Sequence, residues 1–115
     1  MPRITRLSKN SLVVESPVMN AAGTLGFGDE YRDLIDLNAL GAFVTNPLTY
    51  KTWSPATGTR VVPLDAGMLV HTGLPNPGIS KVIGQYRALW ERLPIPVIAH
   101  VVVNSPEEMQ NCVAL

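Results

Sequence analysis

The sequence predicts an α/β fold built on parallel strands, and three observations carry that reading. Strand-like and helix-like segments alternate along the chain. Residues 97–103, V-I-A-H-V-V-V, are apolar and β-branched without polar alternation, as a strand covered on both faces should be. Residues 17–28, P-V-M-N-A-A-G-T-L-G-F-G, end a short apolar run in small side chains and glycines. That pattern suits a strand whose end lies open to a flat ligand before a helix begins, and equally a plain strand-to-helix turn. The glycine order is G-x-x-G-x-G, so the dinucleotide fingerprint is not present.

Composition narrows the classes. The chain has 115 residues, 46% hydrophobic and 16% charged, with a formal net charge of zero. This is the composition of one globular domain at most. Without basic runs or a basic face, no nucleic-acid or membrane-surface partner is expected. Cys112 is the single cysteine, which leaves no intramolecular disulfide and no cysteine metal cluster and fits a reducing cytoplasm. No apolar run approaches the roughly 20 residues of a membrane span. No internal repeat is visible.

Taken in order, Ile4–Leu7 and Leu12–Val14 read as a small N-terminal hairpin within residues 1–15. Residues 17–22 are the first strand. Asp29 can cap a helix that places Tyr31, Leu34 and Ile35 on one face and ends near Gly41. Asp29, Glu30 and Asp33 suit the N-terminal end of its dipole. Ala42–Thr45 is the second strand, broken by Asn46-Pro47. From Leu48 to Gly67 the pattern is irregular, with a short strand at Arg60–Val62. A connection of this length serves as a functional loop or as a surface excursion, and by itself it favours the excursion. Trp53 within it reads as a surface anchor or a lid contact. Residues 68–78 are turn-rich yet apolar, and so should lie over something.

Asn76 caps the next helix, with Pro77 at its first position. Ile79, Val82, Ile83, Tyr86, Trp90 and Leu93 recur at offsets of 3, 4, 7, 11 and 14 from Ile79, one amphipathic face. Pro94 and Pro96 stop it before the third strand. Ser105-Pro-Glu-Glu108 is a capping box with proline at N1, and opens a helix with Met109, Cys112 and Val113 as its apolar stripe. Cys112 reads as a packing residue. The prediction is thus a hairpin (1–15) followed by three βα units (16–115). Three strands cannot close a barrel, and an eight-fold barrel takes roughly 250 residues. The sequence stops inside a predicted helix, so the expectation is the front part of a larger fold.

The ordered set of segments resembles dihydroorotate dehydrogenase, nearest to its class 1, cytoplasmic branch. The resemblance is carried by P-V-M-N-A-A-G-T-x-G-x-G-x-E-Y from Pro17, Leu40–Thr45, Arg60–Val62, Ala66–Leu69, Gly73–Gly78, Pro96–Ile98 and Ser105–Glu108. It implies the N-terminal part of an FMN-binding (β/α)8 TIM barrel. It also implies oxidation of dihydroorotate to orotate in pyrimidine biosynthesis, a base removing a proton while a hydride passes to the flavin. By the same resemblance Ala21, Ala22, Gly23, Thr45, Asn46 and His100 stand at FMN-facing positions. Val70, His71, Thr72, Gly73, Leu74 and Asn76 stand at substrate-facing ones. The base lies on a later loop, beyond residue 115, so no catalytic residue is assigned here.

Departures from the family pattern fall on ligand-facing positions. Asn46 stands where the family has a lysine, which removes a cation. Val70 stands where an asparagine hydrogen-bonds orotate, and His71 replaces a small residue. His100 replaces an asparagine at the third strand's end. Either histidine reads as pocket-lining or packed rather than catalytic, and two histidines without a carboxylate or cysteine partner make a thin metal claim. Two functions remain open: an FMN oxidoreductase with a dihydroorotate-like substrate, and a non-catalytic or substrate-shifted paralogue acting as a flavin-binding or interaction module. Expected partners are a small-molecule substrate and the missing barrel half or a second copy.

Overall fold

The structure is a computed structural model and describes residues 12–115. Strands β1 (Phe43–Val44) and β4 (Val97–Ile98) pair in parallel, Phe43 opposite Val97 and Val44 opposite Ile98. A parallel bridge from Met19 to Ala42 sets the first predicted strand beside β1, and another joins Leu48 to Val101. Three segments therefore lie side by side in chain order, as successive βα units require. The described residues hold this mixed α/β arrangement and do not close a barrel.

Between Val44 and Leu48 the ladder gains one residue. Val44 faces Ile98 while Leu48 faces Val101, so Thr45, Asn46 and Pro47 together oppose only Ala99 and His100, a bulge. Pro47 has no N–H to donate. The Asn46 N–H leaves the ladder and donates to the Gly26 carbonyl at 2.9 Å. The predicted long third strand is accordingly two residues plus one bridge.

Helix α1 (Ile79–Trp90) occupies the predicted amphipathic segment but starts two residues later than expected, with Gly78 at the N-cap. Its buried face, Ile79 and Val82, packs with Leu48 and Cys112 into the core, flanked by Phe27, Tyr86, Trp90 and Val101. Helix α2 (Pro106–Val113) has the predicted cap: Ser105 Oγ accepts from the Glu108 N–H at 3.2 Å, and Pro106 opens the helix. Cys112 is buried in the core as expected. Val113 is 77% exposed and does not join it.

The predicted hairpin's first strand lies outside the described residues, and Leu12–Val14 carries no strand among the described ones. Two expectations fail. The strand at 17–22 is reduced to the bridge at Met19. No α-helix follows Asp29. The Tyr31 carbonyl accepts from Leu34 and Ile35 in a single turn, and a 3-10 turn at Leu37–Ala39 follows, capped by Asp36. Short helices depend on packing of their apolar face. Leu34 is 82% exposed here, so no such packing holds that face.

The Arg60–Val62 strand is found as β2 (Val61–Leu64), and its partner β3 (Gly67–Val70) was not foreseen. They form an antiparallel hairpin, Val61 opposite Val70 and Val62 opposite Leu69. Every residue of both strands is exposed.

Candidate functional site

The positions read from the sequence as ligand-facing fall into two groups. The first is at the ends of the parallel segments. The Asn20 side chain spans to β1, its Nδ2 donating to the Val44 carbonyl (2.7 Å) and its Oδ1 accepting from the Val44 N–H (2.8 Å). A side chain that pairs like a backbone unit here replaces a ladder rung. Thr45 ties β1 to the end of β4: its Oγ1 accepts from the His100 N–H at 3.1 Å and donates to the Asn46 carbonyl at 3.0 Å. Thr45 is fully buried, so its hydroxyl acts within the fold. His100 is exposed.

Ala21 and Gly23 are exposed and Ala22 is half-buried beside them. Gly23 has φ +84°, and a Cβ there would meet only the Pro47 Cδ, at 3.9 Å. The backbone at this end stands open to a flat group. Asn46 Oδ1 is buried and, among the described residues, has no hydrogen-bond partner. Such an acceptor costs about 1–3 kcal/mol until an N–H meets it.

The second group lines a cleft of about 740 Å³. One wall is residues 53–57 and the other residues 70–74, with Thr49 and Val102 also lining it. The walls are tied by backbone hydrogen bonds. Ala56 donates to the Thr72 carbonyl at 3.1 Å, His71 donates to the Arg60 carbonyl at 2.9 Å, and Trp53 and Asn76 exchange a pair at 2.9 and 3.0 Å. Gly73 permits the approach: a Cβ on it would stand 2.4 Å from the Ala56 nitrogen. Leu74 holds φ +50°, a left-handed conformation that costs an L-residue about 1–2 kcal/mol.

Val70, His71, Thr72, Gly73 and Leu74 thus come together as predicted substrate-facing positions. Asn76 does not line the cleft. It is 6% exposed, and its amide is spent beneath it. Its Oδ1 accepts from the Thr49 N–H (3.2 Å) and the Gly78 N–H (3.0 Å) and lies 3.1 Å from the Thr49 hydroxyl; its Nδ2 donates to the Leu74 carbonyl (3.1 Å). Asn76 holds the loop rather than the ligand. Ala21–Gly23, Thr45, Asn46 and His100 lie outside the cleft lining. Among the described residues no three His, Cys, Asp or Glu side chains cluster as a metal site would require.

Sequence reasoning assigned no role to the Thr49 or Asn20 side chains, and read Trp53 as a surface anchor before a lid contact; Trp53 is 45% exposed and also lines the cleft. The signal for Asn20 was present, an amide closing an apolar run before small residues. Thr49 offered none, because its role depends on Asn76, distant in sequence.

The sequence profile of the dihydroorotate dehydrogenase family matches residues 8–115. Among curated proteins, the chain is 38% identical over 97 residues to the catalytic subunit of dihydroorotate dehydrogenase B (NAD(+)) from Pelobacter propionicus, covering 84% of this chain and 32% of that protein. It is 39% identical over 103 residues to the catalytic subunit from Latilactobacillus sakei (87% and 33%), and 32% identical over 104 residues to that from Desulforudis audaxviator (90% and 34%). The chain spans about a third of the length of these relatives. By the family match and its extent, the chain belongs to the dihydroorotate dehydrogenase family.

Proposed function

We propose that this chain is part of an FMN-dependent oxidoreductase acting on a dihydroorotate-like substrate, in the cytoplasm and in pyrimidine biosynthesis. The observation that carries the reading is the convergence of three strand ends, tied by Asn20 to Val44 and by Thr45 to His100, beside an open small-residue backbone. Family membership supports the reaction class.

The residues present suit the cofactor. Ala21, Ala22 and Gly23 leave the backbone uncovered for a planar ring. The buried, unpaired Asn46 Oδ1 wants an N–H donor, and a flavin ring carries one. Bound FMN supplies acceptance of two electrons as a hydride. In this reading Ala21–Gly23, Asn46 and His100 hold the cofactor, while Thr45 fixes the strand end beneath it. Val70–Leu74 cover the substrate, with Asn76 locking that loop in place. The proton-abstracting base comes from outside residues 1–115.

The relatives are named catalytic subunits, which supports association of this chain with another polypeptide. No helix among the described residues is long and apolar enough to cross a membrane. A second reading, a substrate-shifted or non-catalytic paralogue, is favoured by the neutral Asn46 and Val70 at ligand-facing positions.

Two measurements test the proposal. Protein purified as the cell makes it should carry flavin absorbance, and it should reduce a dye acceptor when given dihydroorotate. Colourless protein that takes up no FMN would overturn the flavin reading, and coloured protein without dihydroorotate turnover would select the second.

A further inference from the structure

The first predicted strand leaves the ladder at Asn20. Phe43 donates to the Pro96 carbonyl and Thr45 to the Ile98 carbonyl, so the N–H groups on either side of Val44 face β4. The Val44 N–H and carbonyl face the other way, toward the first segment, because main-chain groups alternate in direction along a strand. The Met19–Ala42 bridge, continued by two residues, would set Ala21 opposite Val44 and pair Val44 with main-chain groups. No bridge joins Ala21 to Val44. The Asn20 side chain takes both Val44 groups instead, at 2.7 and 2.8 Å. The next tie to this strand is at Gly26, whose carbonyl accepts from the Asn46 N–H at 2.9 Å.

Between these two pins lie Ala21, Ala22 and Gly23. None of the described residues accepts from their N–H groups. The Ala21 carbonyl is held within the segment, by the Thr24 hydroxyl at 2.7 Å and Asn20 Nδ2 at 3.1 Å. An amide inserted between two main chains holds them wider than the roughly 4.8 Å of a ladder, and its length sets the gap. The same side chain precedes Ala21 directly and grips the residue that precedes Thr45 and Asn46. We propose that Asn20 is a positioning residue for the flavin: its amide is a spacer that keeps the Ala21–Gly23 main chain out of the ladder, at a set distance from Thr45 and Asn46, with N–H groups left to donate to the acceptor edge of the ring. The inference rests on the reading of this strand end as the cofactor seat.

Spacer length separates this role from a purely structural one. Asn20→Gln keeps the amide and adds one methylene; Asn20→Ala removes the amide. The full chain and both variants are titrated with FMN, followed by flavin absorbance and fluorescence. Melting temperature and exchange of the Val44 amide are measured without FMN. Asn20→Ala should lower the melting temperature, speed Val44 exchange about tenfold and weaken FMN binding about tenfold, the loss of one ordinary hydrogen bond. Asn20→Gln should recover the melting temperature and the slow Val44 exchange, yet leave FMN binding about tenfold weak. FMN bound by Asn20→Gln as by wild type, or affinity that follows melting temperature across both variants, overturns the proposal and leaves the flavin reading standing. Wild-type protein that takes up no FMN defeats the flavin reading, and this role with it.

Discussion

The Glu30 carboxylate fills the space that Gly26 leaves open. Its oxygens accept from the Phe27, Gly28 and Asp29 N–H groups at 2.8 to 3.2 Å, and a Cβ on Gly26 would stand 2.3 Å from Glu30 Cδ. The loop it gathers also supplies the Gly26 carbonyl to Asn46 and the Phe27 carbonyl to Trp90. A local anion thus fixes the junction between the strand end and α1.

Burial pushes the Glu30 carboxyl up, but its own N–H and those of Phe27, Gly28 and Asp29 outweigh it, so its pKa lies below the ordinary value. A depressed folded pKa stabilises the fold above the unfolded value and loses that contribution as pH falls through the folded one. Glu30→Gln should lower the melting temperature at neutral pH. The gap between variant and wild type should close as pH falls below the ordinary carboxylate range. A gap that stays constant with pH would mean the charge plays no part.

The Asn76 amide carries the loop that closes the cleft. Asn76→Ala would strand the N–H groups of Thr49 and Gly78, both buried. Each unmet buried group costs about 1–3 kcal/mol, so a loss of about 3 kcal/mol is expected in denaturant unfolding. Asn76→Asp keeps the acceptor and should recover part of it. Equal losses in the two variants would show that the Nδ2 bond to Leu74, rather than Oδ1, dominates.

Trp90 reaches 63 residues back along the chain, its Nε1 donating to the Phe27 carbonyl at 2.7 Å. Its ring stacks on Tyr86, and Tyr86 packs in turn against Phe27. Trp90→Phe removes the donor and keeps most of the packing. Stability should fall by about 1–2 kcal/mol, and amide exchange should quicken at Asn46, whose partner Gly26 sits in the same loop. Unchanged exchange at Asn46 would uncouple the two ends of that loop.

Periodicity made the second half of the chain legible. The stripe from Ile79 to Trp90 and the Ser105 cap signal encode their structures locally; α2 stands where expected and α1 begins two residues later than expected. The segment after Asp29 misled because its apolar spacing suits a helix, whereas packing decides, and Leu34 has nothing to pack on. The bulge at Asn46-Pro47 was half visible: proline announced a break in the ladder, but the extra residue depends on the register against Ala99 and His100. The cleft was readable only as two separate stretches, since the hydrogen bonds joining Ala56 to Thr72 and Trp53 to Asn76 depend on chain reversal at the unforeseen β2–β3 hairpin.

Gly73 is where those two stretches come nearest. It holds φ +73°, and a Cβ would meet the Ala56 nitrogen at 2.4 Å and its Cα at 3.1 Å, both backbone atoms. Gly73→Ala combines left-handed strain with a backbone clash and should cost about 2 kcal/mol or more. The effect should be local: exchange of the Ala56 amide, bonded to Thr72, should speed up while α1 amides stay protected. Loss of protection throughout α1 would mean that the cleft walls and the core unfold together.

The β2–β3 hairpin is apolar on both faces. Its register puts Val61, Pro63, Met68 and Val70 on one side and Val62, Leu64 and Leu69 on the other, because alternate residues share a face. Val70 lines the cleft, while Val62, Leu64 and Leu69 are 41%, 60% and 64% exposed. Paired apolar residues in an exposed two-stranded ribbon invite edge and face association. Replacing the cross-strand pair Val62 and Leu69 by threonine puts a strand-favouring β-branched residue at both positions and reduces the exposed hydrocarbon. Stability should change by no more than about 0.5 kcal/mol, as for exposed sites in general. The concentration at which the protein begins to scatter light should rise. Scattering that begins at the same concentration in the double variant would place the self-associating surface elsewhere on the chain.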